Sequence, residues 1–532
     1  MEMQEREPLT SAEIWQKYQR GVEWHQKKSI FTRADRCHRF YEGDQWSDSE
    51  GSIGTDLPTY NFLAPTVDYK TAMIAQNSMT INYSPSAAGS QEELAACRGM
   101  NAFARKTWEK QKMDTVLWEA VKEACIAGDA FLYFYDDRLR CQLLGTDKVF
   151  LGDEQQADVQ KQPYIIVYER RLVDDVREDA RKNGLDELEV MDIVSDSEQQ
   201  QTARYKDEVK GRDSEKCSCL LYMTLRGGAL EFCRSTRTVV YQPEQRVDGL
   251  NRYPVAQYTW KRQSGMARGN GEIWWMIPNQ IELNKNLLRR LESIKCTAFP
   301  KPVYVDGLVA NPENLSTVGT PVKVKDGGTV QRVQDVFTYL QPAGISGDAK
   351  AMQDELLENT RNLANAGDSV MGNINPEQAS GTAIVAVKDA QAVPLNQQND
   401  AARQFAADIA LIWYDMTRVY STEGLKTDDG LVTPEELEAT EPEVRVDVSD
   451  GNPYSRYARD QALQAALTAG YITFEEFVQS LDEDSAAPKQ KFAEILKQRK
   501  AQQTEAAGQE GPGDGEQTAG EEQGAEVQNG ML

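Results

Sequence analysis

The sequence predicts an α+β fold. Three observations carry this reading. Apolar residues recur at helical spacing over 11–45 and 91–127. The period shortens to two between 129 and 171, and again from 216 to 262. The helical period then returns from 272 onward. Runs of helix and runs of strand therefore succeed one another along the chain.

Taken in order, residues 11–45 read as a helix with Ile14, Tyr18, Val22 and His25 on one face. It stops in "RFYEGDQW", where Gly43 suits a C-terminal cap. "LPTYNFLAPTVDYKTAMIAQN" reads as a proline-punctuated lead-in and a short helix from about Pro65, followed by a strand-like "TINYSP". One long helical region is expected over 91–127, with Leu94, Cys97, Phe103, Trp108, Leu117, Val121 and Cys125 inward, stopped by Gly128. "DAFLYFYDD", "RLRCQLLG", "DKVFLGD" and "PYIIVYERR" are short strands. Residues 172–215 are charged and helical in character, and read as a solvent-washed insertion. "KCSCLLYMTLRGGALEFCRST" is a hairpin signal, because Gly227–Gly228 supplies positive φ at the turn. "RTVVYQPEQ" and "YPVAQYTWKR" add strands. "IELNKNLLRRLESIKCTAF" places Ile281, Leu288, Leu291 and Ile294 on one helical stripe, and "DAKAMQDELLENTRNLANAG" does the same for Met352, Leu356, Thr360 and Leu363. "NPYSRYARDQALQAALTAGYITFEEFVQSL" reads as two short helices, and the Gly, Gln, Glu and Ala-rich stretch from about Gln502 as disordered.

The 532 residues are enough for about three domains. A formal net charge of −25 repels nucleic acid in the mean, leaving local basic patches or a passive enclosure as the routes to DNA. The opening "MEMQEREPLTSAEIW" is polar and lacks the apolar core of a secretory leader, and "NGEIWWMI" is too short to span a bilayer. The eight cysteines, scattered through apolar segments, suit reduced thiols in a cytosol. The one close pair, Cys217 and Cys219, has no second pair or histidine nearby to complete a zinc site.

The search for catalytic groups is negative. Only His25 and His38 are available for a histidine relay. HExxH, G-x-S-x-G and the P-loop pattern are absent from the sequence. Gly269-x-Gly271 in "ARGNGEIWW" lacks a third glycine and reads as a turn before a helix. Acid pairs such as Asp136–Asp137 and Asp174–Asp175 are expected by chance among 84 acids and read as surface. Basic residues gather at Lys261, Arg262 and Arg268 beside Trp260, and again over Lys285–Arg290; ion pairing is favoured there over a nucleic-acid patch. No catalytic residue, metal or cofactor is therefore expected.

"NINPEQASGTAIVAVKDAQAVPLNQQND", from Asn373 to Asp400, starts as a well-capped helix and then meets Pro394. Helical pattern resumes through Phe405, Ile409, Ile412, Trp413, Met416 and Val419. With the order of elements before it, this stretch resembles the portal (head-to-tail connector) proteins of tailed bacteriophages and prophages. Four pieces carry the resemblance: "YEGDQW" followed by "YNFLAPTVDYKTAMI", "EACIAGDAFLYFY", "NGEIWWMIPNQIELNKNLLRRLESIKCTAFPKPVYVDG", and "NPEQASGTAIVAVKDAQAVPLNQQNDAARQFAADIALIWYDM". It covers roughly Tyr41 to Tyr420.

The resemblance implies a portal fold: an N-terminal region and mixed α/β wing over 1–271 and a first stem helix over 272–299. A β clip over 300–335, a second stem helix over 336–366 and a tunnel loop over 367–379 would follow. A long wing helix over 380–423, kinked at Pro394, would lead to a wing end and helical crown over 424–500 and a disordered acidic tail over 501–532. It implies that Met371, Gly372, Asn373, Ile374 and Asn375 project into a channel, and that Ile281, Leu288, Leu291 and Ile294 pack at a stem interface. It further implies a homo-oligomeric ring of about twelve subunits at one capsid vertex of a virion, assembled in a bacterial cytoplasm. The ring would pass double-stranded DNA without sequence-specific binding. Its partners would be a terminase packaging motor, the major capsid and scaffolding proteins and a head-completion or tail adaptor, with no membrane. The competing readings are another structural virion protein, a minor capsid or adaptor protein, and a metal-dependent nucleic-acid hydrolase.

Overall fold

The computed structural model describes residues 8–46, 57–75, 78–85, 90–196, 215–298, 301–316, 320–325, 332, 336–340, 347–364, 393–427, 430–440, 442–449, 463–481 and 491–492. They fall in two compact units, Met1–Ser449 and Asp450–Leu532.

The first unit is a mixed α+β body. Helix α1 (Ser11–Lys27) opens on a capping box between Thr10 and Glu13. The helix expected over 11–45 is two helices: Ser29 takes φ 55 and the chain restarts as α2 (Ile30–Glu42), which ends at Gly43, φ 93. Helix α3 (Leu63–Ala75) and strand β1 (Ser78–Ser84) follow. The region expected as one helix over 91–127 is also two, α4 (Gln91–Gln111) and α5 (Met113–Ala127), divided at Lys112 with φ 52. Leu94, expected inside, is exposed. Gly128 ends α5 as anticipated.

Eight strands then form two antiparallel sheets. One is three-stranded, ordered β3 (Cys141–Gly145), β2 (Asp129–Phe134), β9 (Val255–Thr259). The other is five-stranded, β4 (Val149–Leu151), β5 (Ile165–Leu172), β6 (Lys216–Arg226), β7 (Ala229–Ser235), β8 (Gln242–Asp248). The β6–β7 turn uses Gly227 and Gly228 at φ 54 and 76, the conformations that favour glycine. Helix α1 covers one face of the larger sheet through Ile14, Trp15 and Tyr18, which pack with Phe150, Ile166, Tyr168 and Leu220.

The 172–215 region joins the paired strands β5 and β6. Its described part holds α6 (Val173–Lys182) and α7 (Glu187–Met191), and it is not merely washed by solvent. Val173, Val176, Ala180, Val190 and Ile193 bury a small core with Cys217, Cys219 and Tyr241. The charged residues occupy the outward face of that amphipathic pair.

Beyond the two-residue pair β10 (Lys261–Arg262) and β11 (Gly269–Asn270), α8 runs from Ile273 to Ala298. A β pair follows, β12 (Lys301–Tyr304) against β13 (Phe337–Leu340). The helix expected from 336 therefore starts later, as α9 (Gly347–Leu363), because Phe337–Leu340 is drawn into the pair with β12. Asn279 Nδ2 donates to Thr360 Oγ1 at 3.0 Å and Arg290 bonds Gln353, so α8 and α9 lie antiparallel. Thr360 is buried there, whereas Met352 and Leu363, expected on the same side, are exposed. Helix α10 (Asn396–Tyr420) crosses β9 and buries Phe405, Ile409, Ile412, Trp413 and Met416 in the main core. The strand Glu443–Ser449 closes the unit by pairing with β1.

In the second unit, the helix Phe474–Ser480 places Phe477, Val478 and Leu481 against Leu463, Leu467 and Phe492. The disordered reading from about Gln502 lies outside the described residues.

Candidate functional site

Three chain segments converge where the long helix α8 begins, and glycines let them do so. A Cβ on Gly271 would stand 2.2 Å from the Ile126 carbonyl oxygen, and one on Gly128 2.7 Å from that of Gly269. Gly269-x-Gly271 is thus a close backbone crossing, in which Glu272 N donates to Cys125 O at 2.7 Å.

Glu272, at the foot of α8, is buried. Its carboxylate accepts from Lys70 Nζ at 2.8 Å, Lys261 Nζ at 2.8 Å and Trp260 Nε1 at 2.9 Å. Burial by itself would push this carboxyl up; the two ammonium groups outweigh it and hold the group down at about 2. A small cavity of about 30 Å³ borders the cluster, lined by Lys70, Lys261, Glu272, Pro394, Leu395 and Gln398. Pro394 stands in a single 3-10 turn, Val393–Leu395, that leads directly into α10. Tyr258 Oη reaches the Gln398 carbonyl at 3.2 Å, tying that first turn to β9. The helical half expected upstream, 380–392, lies outside the described residues, as do Met371, Gly372, Asn373, Ile374 and Asn375.

About two and three turns further along α8, Gln280 and Asn284 are buried and bind the lead-in segment. Gln280 Nε2 donates to Tyr60 O at 2.7 Å, Asn284 Nδ2 to Gln45 Oε1 at 2.7 Å, and Tyr60 N to Asn284 Oδ1 at 3.1 Å. Each donor of this amide set finds an acceptor, as burial requires. Beyond it the helix loses its cover. Ile281 and Leu288 are half-buried, and Ile281 packs against the main core. Leu291 and Ile294 are 37% and 51% exposed, alongside exposed Val303, Tyr304, Tyr339 and Leu340 on the β pair that follows.

Of the basic residues near Trp260, Lys261 and Arg268 are ion-paired within the chain. Arg268 is buried and holds Glu154 through Nε–Oε2 and Nη2–Oε1 contacts of 3.0 Å each. Its neighbour His25 lies with Nε2 3.3 Å from both Glu154 Oε1 and Arg268 Nη2. Burial pushes His25 down to about 4 against the pull of its Glu154 hydrogen bond, and Arg268 outweighs burial to bring Glu154 to about 2. Among the described residues, no three His, Cys, Asp or Glu side chains cluster as a metal site. No described helix is long and apolar enough to cross a membrane.

The contacts of Glu272, Gln280 and Asn284 fasten the first half of α8 to α3, to Trp260 just beyond β9 and to the lead-in segment. Sequence reading missed Glu272, Lys70, Gln280 and Asn284. The available signals were a lysine inside the apolar "TVDYKTAMI" and two amides at i, i+4 on an apolar helix face.

Residues 16–138 match the family described as Phage P22-like portal protein. No curated protein matches the chain. Among solved structures, a chain of the virion of a native gene transfer agent (GTA) particle is similar at 11% identity and a TM-score of 0.36, covering 77% of this chain and 86% of that one. The family match spans both N-terminal pieces of the sequence resemblance, "YEGDQW" with "YNFLAPTVDYKTAMI", and "EACIAGDAFLYFY". Over residues 16–138 this chain is thus similar to the phage P22-like portal proteins.

Proposed function

We propose that the chain is a portal subunit, one of a ring of about twelve at a single capsid vertex. That ring is a channel for DNA packaging and ejection and a docking platform for the packaging motor and tail adaptor. The family match over residues 16–138 carries this reading. The helix pair α8–α9 joined through β12–β13 supports it. These elements form a projection whose apolar residues, Leu291 and Ile294 on α8 and Val303 and Tyr304 on β12, are open in a single subunit. A second copy is the natural cover for such a surface in a ring. The tunnel loop would be 367–379, with Met371 to Asn375 projecting into the channel, ahead of the helix that Pro394 kinks. The net charge of −25 suits a wall that DNA slides past, since like charge gives no counterion-release gain. The role is structural and asks for no catalytic group.

Negative-stain imaging of the purified protein tests this directly: closed rings with a central hole are expected. A monomer at all concentrations, or metal-dependent nuclease activity, would favour the competing readings.

A further inference from the structure

We infer that the cleft between the two sheets is a binding site for a small aromatic anion, a planar ring carrying a carboxylate or phosphate group. The cleft has a volume of about 300 Å³, at the lower end for small-molecule sites. The five-stranded sheet contributes Glu169 on β5, Cys219 and Leu221 on β6 and Arg234 on β7. Leu221 and Arg234 are register partners, as are Glu169 and Cys219, so these side chains share one face. The three-stranded sheet faces them with Tyr133 and Gln142, again register partners, and Tyr135 and Tyr241 complete the lining.

Arg234 is the centre of the site. It is half-buried, and its Nε is shielded from solvent with no hydrogen-bond partner among the described residues. The Tyr133 and Tyr241 hydroxyls lie close to the guanidinium and interact with it, and Glu169 acts on it more weakly. A half-buried guanidinium flanked mainly by neutral hydroxyls keeps donors for an anion, and its planar fork matches carboxylate and phosphate oxygens. The tyrosine rings supply flat apolar faces beside that charge. Tyr135 is exposed at the cleft and gives a ligand access. Ring faces plus one cationic fork select a ligand with an aromatic plane and one anionic group. Glu169 opposes it and sets the affinity low.

The test is calorimetric titration of the full chain with phenyl phosphate, benzoate and, as the neutral control, benzyl alcohol. Saturable binding of either anion, at least tenfold weaker for benzyl alcohol, is expected; which anion binds tells which group the site takes. Arg234→Gln should weaken binding at least tenfold. Glu169→Gln should strengthen it about threefold or more, and it decides the matter if Arg234→Gln does not fold. Absence of saturable binding for both anions overturns the inference. So does equal binding of the alcohol, unchanged affinity in a folded Arg234→Gln protein, or no gain in Glu169→Gln.

Discussion

Lys70 Nζ lies 2.8 Å from Glu272 Oε1, and both side chains are buried. The two residues are 202 positions apart, so this pair fastens α3 to the foot of α8. A buried pair of this kind contributes little net stability over an apolar pair, but breaking it from one side strands a charge.

Glu272→Gln is therefore expected to destabilise the first unit by about 3–5 kcal/mol, because Lys70 is left buried without its anion. Lys261 is 43% exposed and can turn to solvent, so it adds little to the loss. The double variant Lys70→Met with Glu272→Leu should recover most of the stability. Denaturant unfolding of the three proteins checks this; equal midpoints for the wild type and Glu272→Gln would mean that the cluster is hydrated and not a fastening.

Acid should unfold the protein in two stages. His25 titrates at about 4 in the fold against 6.5 for its ordinary value, so between these the unfolded state binds more protons and stability falls as pH drops from 6.5 to 4. Glu154 and Glu272, at about 2 against 4.5, contribute stability that is present above 4.5 and lost as pH falls toward 2. Asp129 and Asp415, pushed up mainly by burial, act in the opposite sense, so the clean readout is a difference between variants. His25→Gln should remove the first stage, worth on the order of 3 kcal/mol, and flatten stability between pH 6.5 and 4.5 relative to the wild type. Melting curves across pH 3–8 measure it; parallel profiles would place the first stage elsewhere.

The exposed end of the α8 stripe should separate folding from assembly. Ile294 is 51% exposed in one subunit, so Ile294→Asp should change subunit stability by no more than about 0.5 kcal/mol. In a ring the same change buries a charge against a neighbouring helix, at a cost of several kcal/mol per interface. The expected outcome is a folded monomer with normal circular dichroism and no rings by sedimentation. Normal rings would put the stripe on a solvent face.

The sequence made visible whatever has a local cause. Gly43 and Gly128 as helix ends and Gly227–Gly228 as a hairpin turn need only short-range chemistry. Ser29 and Lys112, by contrast, take positive φ although neither is a glycine, and a periodicity reading runs straight through both. The apolar spacing of Val173, Val176 and Ala180 was present but submerged in charge, which hid a small core under an apparently solvated insertion. Phe337–Leu340 became a strand through pairing with a segment more than thirty residues earlier, which no local pattern announces. The Lys70–Glu272 anchor is non-local in the same way.

The turn at Pro394 should matter more to genome packaging than to folding. Proline lacks an amide donor and has a fixed φ, which suits the short 3-10 turn before α10. Leu395, next to it, is buried, so the turn is also fastened from the inside. Pro394→Ala restores a donor and allows the helix of α10 to extend upstream by a residue or more. Subunit stability should change by about 1 kcal/mol or less, since the buried residues of α10 are untouched. The chain upstream of Pro394 would then leave α10 in a different direction, and a tunnel loop over 367–379 would meet DNA at a different angle. Rings of normal appearance are expected, with poor retention or incomplete packaging of DNA. Genome length per particle, measured by gel on phage complemented with the variant, is the readout. Full-length genomes at wild-type yield would show that the turn is a local packing feature, and the link from Pro394 to the loop would fail.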